Sequence, residues 1–176
     1  GMFAFTLLTA VLALWLNARF GVTEKTIGFF FMYYGGLSFV MRSAFLGPVV
    51  DRIGEIGALR VGTILLTVGM LLYPLVPTVW LMAVVIPFVP IGTALMFPSV
   101  TSLLSHAVNQ AELGTMMGVA QTFAGSARVL APILGTIAFQ RLGVNSPFVL
   151  GGCIVAMVSW VTFRHIRAPS PAESIV

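Results

Sequence analysis

Charged side chains are scarce in this sequence. Only 8% of its 176 residues are Asp, Glu, Lys or Arg, whereas 59% are hydrophobic, and the mean hydropathy is +1.05. Between Arg60 and Glu112 there is no such charge at all. A soluble domain of this size could not cover its surface with so few charges, so the composition predicts an integral membrane protein.

The small basic excess does not indicate a nucleic-acid partner. The net charge is +4, but the nine Lys and Arg residues are dispersed among the ends of apolar runs. Binding of a phosphate backbone needs basic residues clustered on one face. We therefore interpret them as charges that set membrane topology and contact lipid headgroups, and we expect no nucleic acid as partner.

Cysteine and histidine are nearly absent, which excludes the common metal and nucleophile sites. Cys153 is the single cysteine, so neither an intrachain disulfide nor a cysteine metal cluster can form. His106 follows Ser102 and Ser105, but no acid orients it and no nucleophile elbow surrounds either serine. We predict no catalytic residue, no metal and no cofactor, and hence no enzyme.

Six apolar runs are present instead, and each predicts a membrane-spanning helix. The uncharged stretch from Arg60 to Glu112 would be roughly 75 Å long as one helix, so it must turn back at the prolines near 74–78. Trp15 and Trp80 are predicted interfacial anchors on one membrane face. The fourth run carries several prolines and should be kinked or broken. The runs cover residues 2–16, 26–50, 61–76, about 80–104, 113–139 and 147–163.

A short polar segment between the second and third runs contains Gly47, Asp51, Arg52 and Gly54. Arg52 complements the negative end of the incoming helix dipole, and Gly54 can adopt the left-handed conformation that closes the turn. A carboxylate at a helix C-terminus is unfavourable, so Asp51 should face another helix N-terminus or an arginine.

These four residues, at this spacing, resemble the cytoplasmic signature loop of the major facilitator superfamily, and the resemblance implies that they form a gating motif. The family pattern lies between helices 2 and 3 and recurs, more degenerate, between helices 8 and 9; Glu55 and Ile56 stand where it continues with basic residues, which suits the second copy. The resemblance implies an all-α integral membrane fold in which residues 1–167 are helices 7 to 12. The missing N-terminal six-helix half is then a partner, and residues 168–176 are a disordered cytoplasmic tail. The start at Gly1-Met2, without a basic segment, is typical of a chain cut in mid-protein.

A short internal sequence similarity favours two inverted three-helix repeats, the architecture of such half-transporters. Similar short segments end the second and fifth runs and should lie on opposite faces. They are Leu46-Gly47 followed by Arg52-Ile53-Gly54, and Leu134-Gly135 followed by Arg141-Leu142-Gly143.

The fifth run carries the most informative polar residues. Gln121, Gly125, Arg128 and Pro132 follow Gly114 and Gly118 at helical spacing on one face. The stretch from Gly125 to Gly135 is similar to the eleventh helix of drug-exporting members, with Ala131 where their motif has glycine. An arginine deep in a membrane costs at least ~2.5 kcal/mol, which favours a partnered, interior position and either a structural role or one in the substrate or proton path.

Arg42 is the other charge within a run, and no acidic residue lies inside any run. A titrating carboxylate for proton coupling should therefore come from the missing half. The resemblance implies that the first and fourth runs line the central cavity, the second and fifth line the interface between halves, and the third and sixth face lipid.

The resemblance implies a secondary transporter in the cytoplasmic membrane, with its C-terminus in the cytoplasm. We expect proton-coupled efflux of a small, partly apolar compound by alternating access, as in drug/proton antiporters. Two alternatives stay open: an uptake permease of the same fold for a nutrient or metabolite, and a non-transporting six-helix membrane scaffold.

Overall fold

The computed structural model describes residues 1–166, which are almost entirely helical. A π-helical turn, Met41–Phe45, joins α2 to α3, and a 3-10 turn, Tyr73–Leu75, follows α3. The described part confirms the predicted all-α class; the predicted tail, 168–176, and Arg167 lie outside it. The helices are α1 (Met2–Phe20), α2 (Glu24–Val40), α3 (Leu46–Leu72), α4 (Val79–Val85), α5 (Phe88–His106), α6 (Gln110–Leu142) and α7 (Ser146–His165).

Within these residues, 5 stretches are long and apolar enough to cross a membrane, one fewer than the sequence predicted. The difference arises because the second and third runs join in one stretch, Lys25–Leu75. Helical geometry is interrupted inside it at Gly54, with φ 72° and ψ 167°. The positive φ agrees with the prediction, but ψ is extended instead of left-handed helical. This backbone region is essentially restricted to glycine.

The prolines interrupt the hydrogen bonds of the fourth run without unwinding it, because Ile86 and Pro87 keep helical backbone angles. α4 ends at Val85 and α5 begins at Phe88, and Pro87 between them has no N–H to donate to the carbonyl of Ala83. That carbonyl accepts a hydrogen bond from the Tyr33 hydroxyl of α2, at 3.2 Å. A side chain from a neighbouring helix therefore satisfies the backbone group that the proline leaves free.

The core lies between α1, α3, α5 and α7, and α3 packs most extensively against α5 and α7. α3 and α5 approach so closely at Gly62 and Gly92 that a Cβ atom on Gly92 would lie 2.7 Å from the Leu66 nitrogen and 2.8 Å from the Gly62 oxygen. On α7, the buried Gly151 and Gly152 lie against side chains of α3. Small residues permit this close helix packing.

Trp15 belongs to this core, so its assignment as an interfacial anchor is wrong. The residue is 0% exposed, and its Nε1 donates to Asn145 Oδ1 at 3.0 Å. Its ring lies 5.2 Å from that of Phe148. Burial is possible because Asn145, at the start of α7, provides the acceptor that the indole N–H requires. Trp80, in contrast, is 88% exposed, as an anchor should be.

Candidate functional site

Two helices contribute little to the core. From Lys25 to Val40 no residue of α2 is fully buried, and α6 buries only Ala131, Gly135 and Ala138. A Cβ atom added to any of six glycines on these helices would meet nothing within 4 Å. They are Gly28, Gly35 and Gly36 on α2 and Gly114, Gly118 and Gly125 on α6. We call these two surfaces the open faces.

The open face of α6 carries most of the polar residues predicted for the fifth run. Gln121 and Arg128 are exposed, while Gly125 and Pro132 are half-buried. Arg128 lies about 27 Å from the start of α6 and about 21 Å from its end, at about 1.5 Å per residue. The fifth predicted residue, Gly135, is buried instead against Leu7 of α1, whose Cγ would lie 3.2 Å from an added Cβ.

Pro132, on the same helix, leaves a backbone carbonyl without its usual hydrogen-bond donor. Because proline has no N–H, the carbonyl of Arg128, four residues earlier, lacks its helical donor. The carbonyl that loses its helical donor thus belongs to the same residue as the exposed guanidinium. A deeply placed arginine of this kind needs a partner in a membrane.

Arg42 lies in the π-helical turn at the end of α2 and is exposed. The Leu46 N–H bonds to the Met41 carbonyl, five residues back, directly before Gly47 and Pro48. Pro48 cannot donate to the helical ladder, which accounts for a local change of hydrogen bonding at this point.

The four residues of the predicted gating motif lie between the π-helical turn and the interruption at Gly54. Gly47, Asp51 and Arg52 are exposed and helical, and Gly54 provides the interruption. Asp51 is therefore an exposed residue of the last helical turn before Gly54 and does not lie in a loop.

Glu55, directly after Gly54, has a role that the sequence did not suggest. Its carboxylate accepts a hydrogen bond from the hydroxyl of Ser102, near the end of α5. An acid at the first turn after an interruption also complements the positive end of the new helical segment. The residue that departs from the family pattern thus connects the polar turn to α5.

Arg60 was interpreted from the sequence as a topology charge, but it has a structural role too. Its Nη2 donates to the carbonyl of Ile166 at 2.7 Å, and its guanidinium lies 5.0 Å from the centre of the Phe163 ring. These contacts fasten the end of α7 to α3. Nothing local in the sequence indicates a pair separated by 106 residues.

No group of three His, Cys, Asp or Glu side chains that could hold a metal ion occurs in the part of the chain that the structure describes. Cys153 is exposed on α7. The predicted absence of a metal site remains a prediction from the sequence.

Long apolar helices with exposed apolar faces define an integral, multi-pass membrane protein. Residues 1–175 match the family model described as Major Facilitator Superfamily. The chain belongs to this superfamily, whose members are secondary transporters in lipid bilayers and generally not enzymes. A comparison with curated proteins gave no match.

Proposed function

We propose that this chain is the C-terminal six-helix half of a proton-coupled exporter that moves a small, partly apolar compound by alternating access. The observation that carries the proposal is the contrast between the packed α3, α5 and α7 and the open faces of α2 and α6. Helices with small and polar residues exposed at membrane depth require another protein surface. The missing N-terminal half would provide it.

Six crossings are proposed because Gly54 divides the longest stretch. As one helix, Lys25–Leu75 would be roughly 76 Å long, far more than the ~30 Å of a bilayer core. The parts before and after Gly54 would measure about 44 Å and 32 Å, each sufficient for one crossing. The turn with Asp51 and Arg52 would then lie at the membrane surface.

The neighbours of each helix support two inverted repeats. α1 packs against α6 and α7, whereas α5 packs against α2 and α3. If α1 is exchanged with α5, α2 with α6 and α3 with α7, the α1–α6 pair becomes α5–α2 and the α1–α7 pair becomes α5–α3. A pseudo-twofold axis in the membrane plane would produce this pattern.

The positions of the charged residues bear on the proposed proton coupling and orientation. Asp51, Glu55 and Glu112 are near helix ends, so a membrane-embedded carboxylate would come from the other half. Arg52, Arg60, Arg164 and Arg167 would share one side, against Arg19, Lys25 and Arg141 on the other, which is a small basic excess. The resemblance of the segment around Asp51 to a cytoplasmic loop of the family supports this side as the cytoplasmic one. In this orientation the protein would lie in the cytoplasmic membrane, with its C-terminus in the cytoplasm.

The test is flux in reconstituted liposomes. We expect the chain alone to insert without transporting, because a cavity in this fold forms between two bundles. Co-expression with the matching N-terminal half should restore proton-dependent efflux and raise the melting temperature in detergent. Flux from the chain alone, above that of empty vesicles, would show that it acts as a homodimer and would refute the proposal; inward flux from the assembled protein would identify an uptake permease.

Asp51 is the residue proposed for the gate of that assembled transporter, where it would cap a helix of the other half. Replacing it by Asn keeps its shape and removes its charge. We expect efflux to fall while abundance stays unchanged, and normal efflux would exclude Asp51 from gating.

A further inference from the structure

A groove between α1, α6 and α7 has walls suited to a hydrocarbon chain. Its volume is about 440 Å³, and Arg141 is the only charged residue among those that line it. The apolar walls include Leu7, Leu134, Ile137 and Leu150. From Leu134 to Leu142 the groove follows α6 for about 12 Å.

The groove lies on the flank of α6 opposite to its open face. At about 100° per residue, Arg141 is roughly 140° around the helix from Arg128, and Ile137 is roughly 160° from Gln121. A partner half that covers Gln121 and Arg128 would therefore leave the groove facing the bilayer. In this one respect the inference rests on the proposed function.

Arg141 lies at the end of the groove where α6 reaches the membrane surface. The residue is exposed and is followed closely by Gly143, where the helix ends. A guanidinium at this depth is level with lipid headgroups, and its fork matches the oxygens of a phosphate. The apolar walls below it can accept methylene groups.

We propose that the groove binds an anionic phospholipid, with one acyl chain between α1, α6 and α7 and the phosphate paired with Arg141. Charge complementarity favours this occupant over a neutral lipid or a peptide helix. A zwitterionic lipid would fill the same walls, but its own cation would compete for the phosphate.

Native mass spectrometry of the full chain, stripped of lipid in detergent, tests this proposal. The protein would be offered equal amounts of phosphatidylglycerol and phosphatidylcholine with identical acyl chains. We expect phosphatidylglycerol to be retained about fivefold more, the effect of one basic residue at a membrane surface. Arg141→Gln should remove this preference. Arg19→Gln, at an exposed arginine that does not line the groove, should keep it.

A second pair of variants tests the walls. Ile137→Trp would fill the groove and should lower retention of both lipids, whereas Leu130→Trp, at an exposed position of the same helix outside the groove, should not. Equal retention of the two lipids by the wild type, equal effects of the two arginine variants, or full retention by Ile137→Trp would overturn the proposal. Since none of these measurements involves flux, they are independent of the outcome for transport.

Discussion

The glycines of this protein divide into two groups with opposite surroundings. Gly62 and Gly92 lie where two backbones meet, and an added Cβ atom would approach backbone atoms within 2.8 Å. Gly118 and Gly125 lie on a helix of the same bundle, yet an added Cβ atom would meet nothing within 4 Å. The first group completes contacts within the chain, and the second is suited to contacts that the described residues do not make.

Gly92→Leu tests the tightly packed group of glycines and should have the largest effect of the substitutions considered. Because the Leu66 nitrogen would lie 2.7 Å from the new Cβ, α3 and α5 would have to separate. We expect a loss of about 3 kcal/mol or more in the free energy of unfolding, and little folded protein in detergent. Size-exclusion chromatography and thermal unfolding would measure this. A folded variant with wild-type stability would show that the close approach at Gly92 is not needed.

Arg128→Lys tests whether the open face of α6 has a function. Lysine keeps the charge but loses the two-pronged hydrogen bonding of the guanidinium. In the protein assembled with its other half, we expect efflux per molecule to fall about tenfold, ~1.4 kcal/mol in activation free energy.

Arg19→Lys, at the exposed end of α1, is the matched control and should transport normally. If Arg128→Lys transports normally as well, and Arg128→Ala only lowers abundance, Arg128 has a structural role.

Ser102→Ala tests the hydrogen bond between Glu55 and α5, a contact within the chain that involves no glycine. A hydrogen bond to a carboxylate contributes more than a neutral one, but Glu55 is only half-buried, so we expect a loss of about 1 kcal/mol. Thermal unfolding of the chain alone would detect it. Ser126→Ala removes a hydroxyl that bonds only within α6 and should cause a smaller change; equal effects would show that the Glu55 contact adds nothing.

Gly118→Leu should have the smallest effect on the chain alone. Since open space surrounds Gly118, we expect its stability to change by less than about 0.5 kcal/mol. The same substitution should weaken assembly with the other half, which pull-down from co-expressing cells would measure. Normal assembly would mean that the partner does not cover Gly118.

Features that depend on one residue type at one place could be predicted from the sequence. Pro87 interrupts the hydrogen bonds of its helix because it lacks an N–H, and Gly54 can adopt a positive φ because it lacks a side chain. Both effects act within a few residues, so a single sequence contains the necessary information.

Features that depend on distant partners could not be predicted. Trp15 is a residue type common at membrane surfaces, and it lies near the end of an apolar run, so the sequence suggests an interfacial anchor. Only its hydrogen bond to Asn145, 130 residues away, explains its burial. The same holds for Glu55 with Ser102. Periodicity placed Gln121, Arg128 and Pro132 on one face, but it could not show that this face is open and that Gly135 packs against α1.

The hydrogen bond between Tyr33 and the Ala83 carbonyl has a mechanical consequence. Pro87 removes one donor from the helical hydrogen bonds, and the Tyr33 hydroxyl replaces it at the Ala83 carbonyl. Loss of this bond would leave the carbonyl without a donor, which is costly wherever water cannot reach it. We therefore expect α4 to move together with α2 when α2 moves.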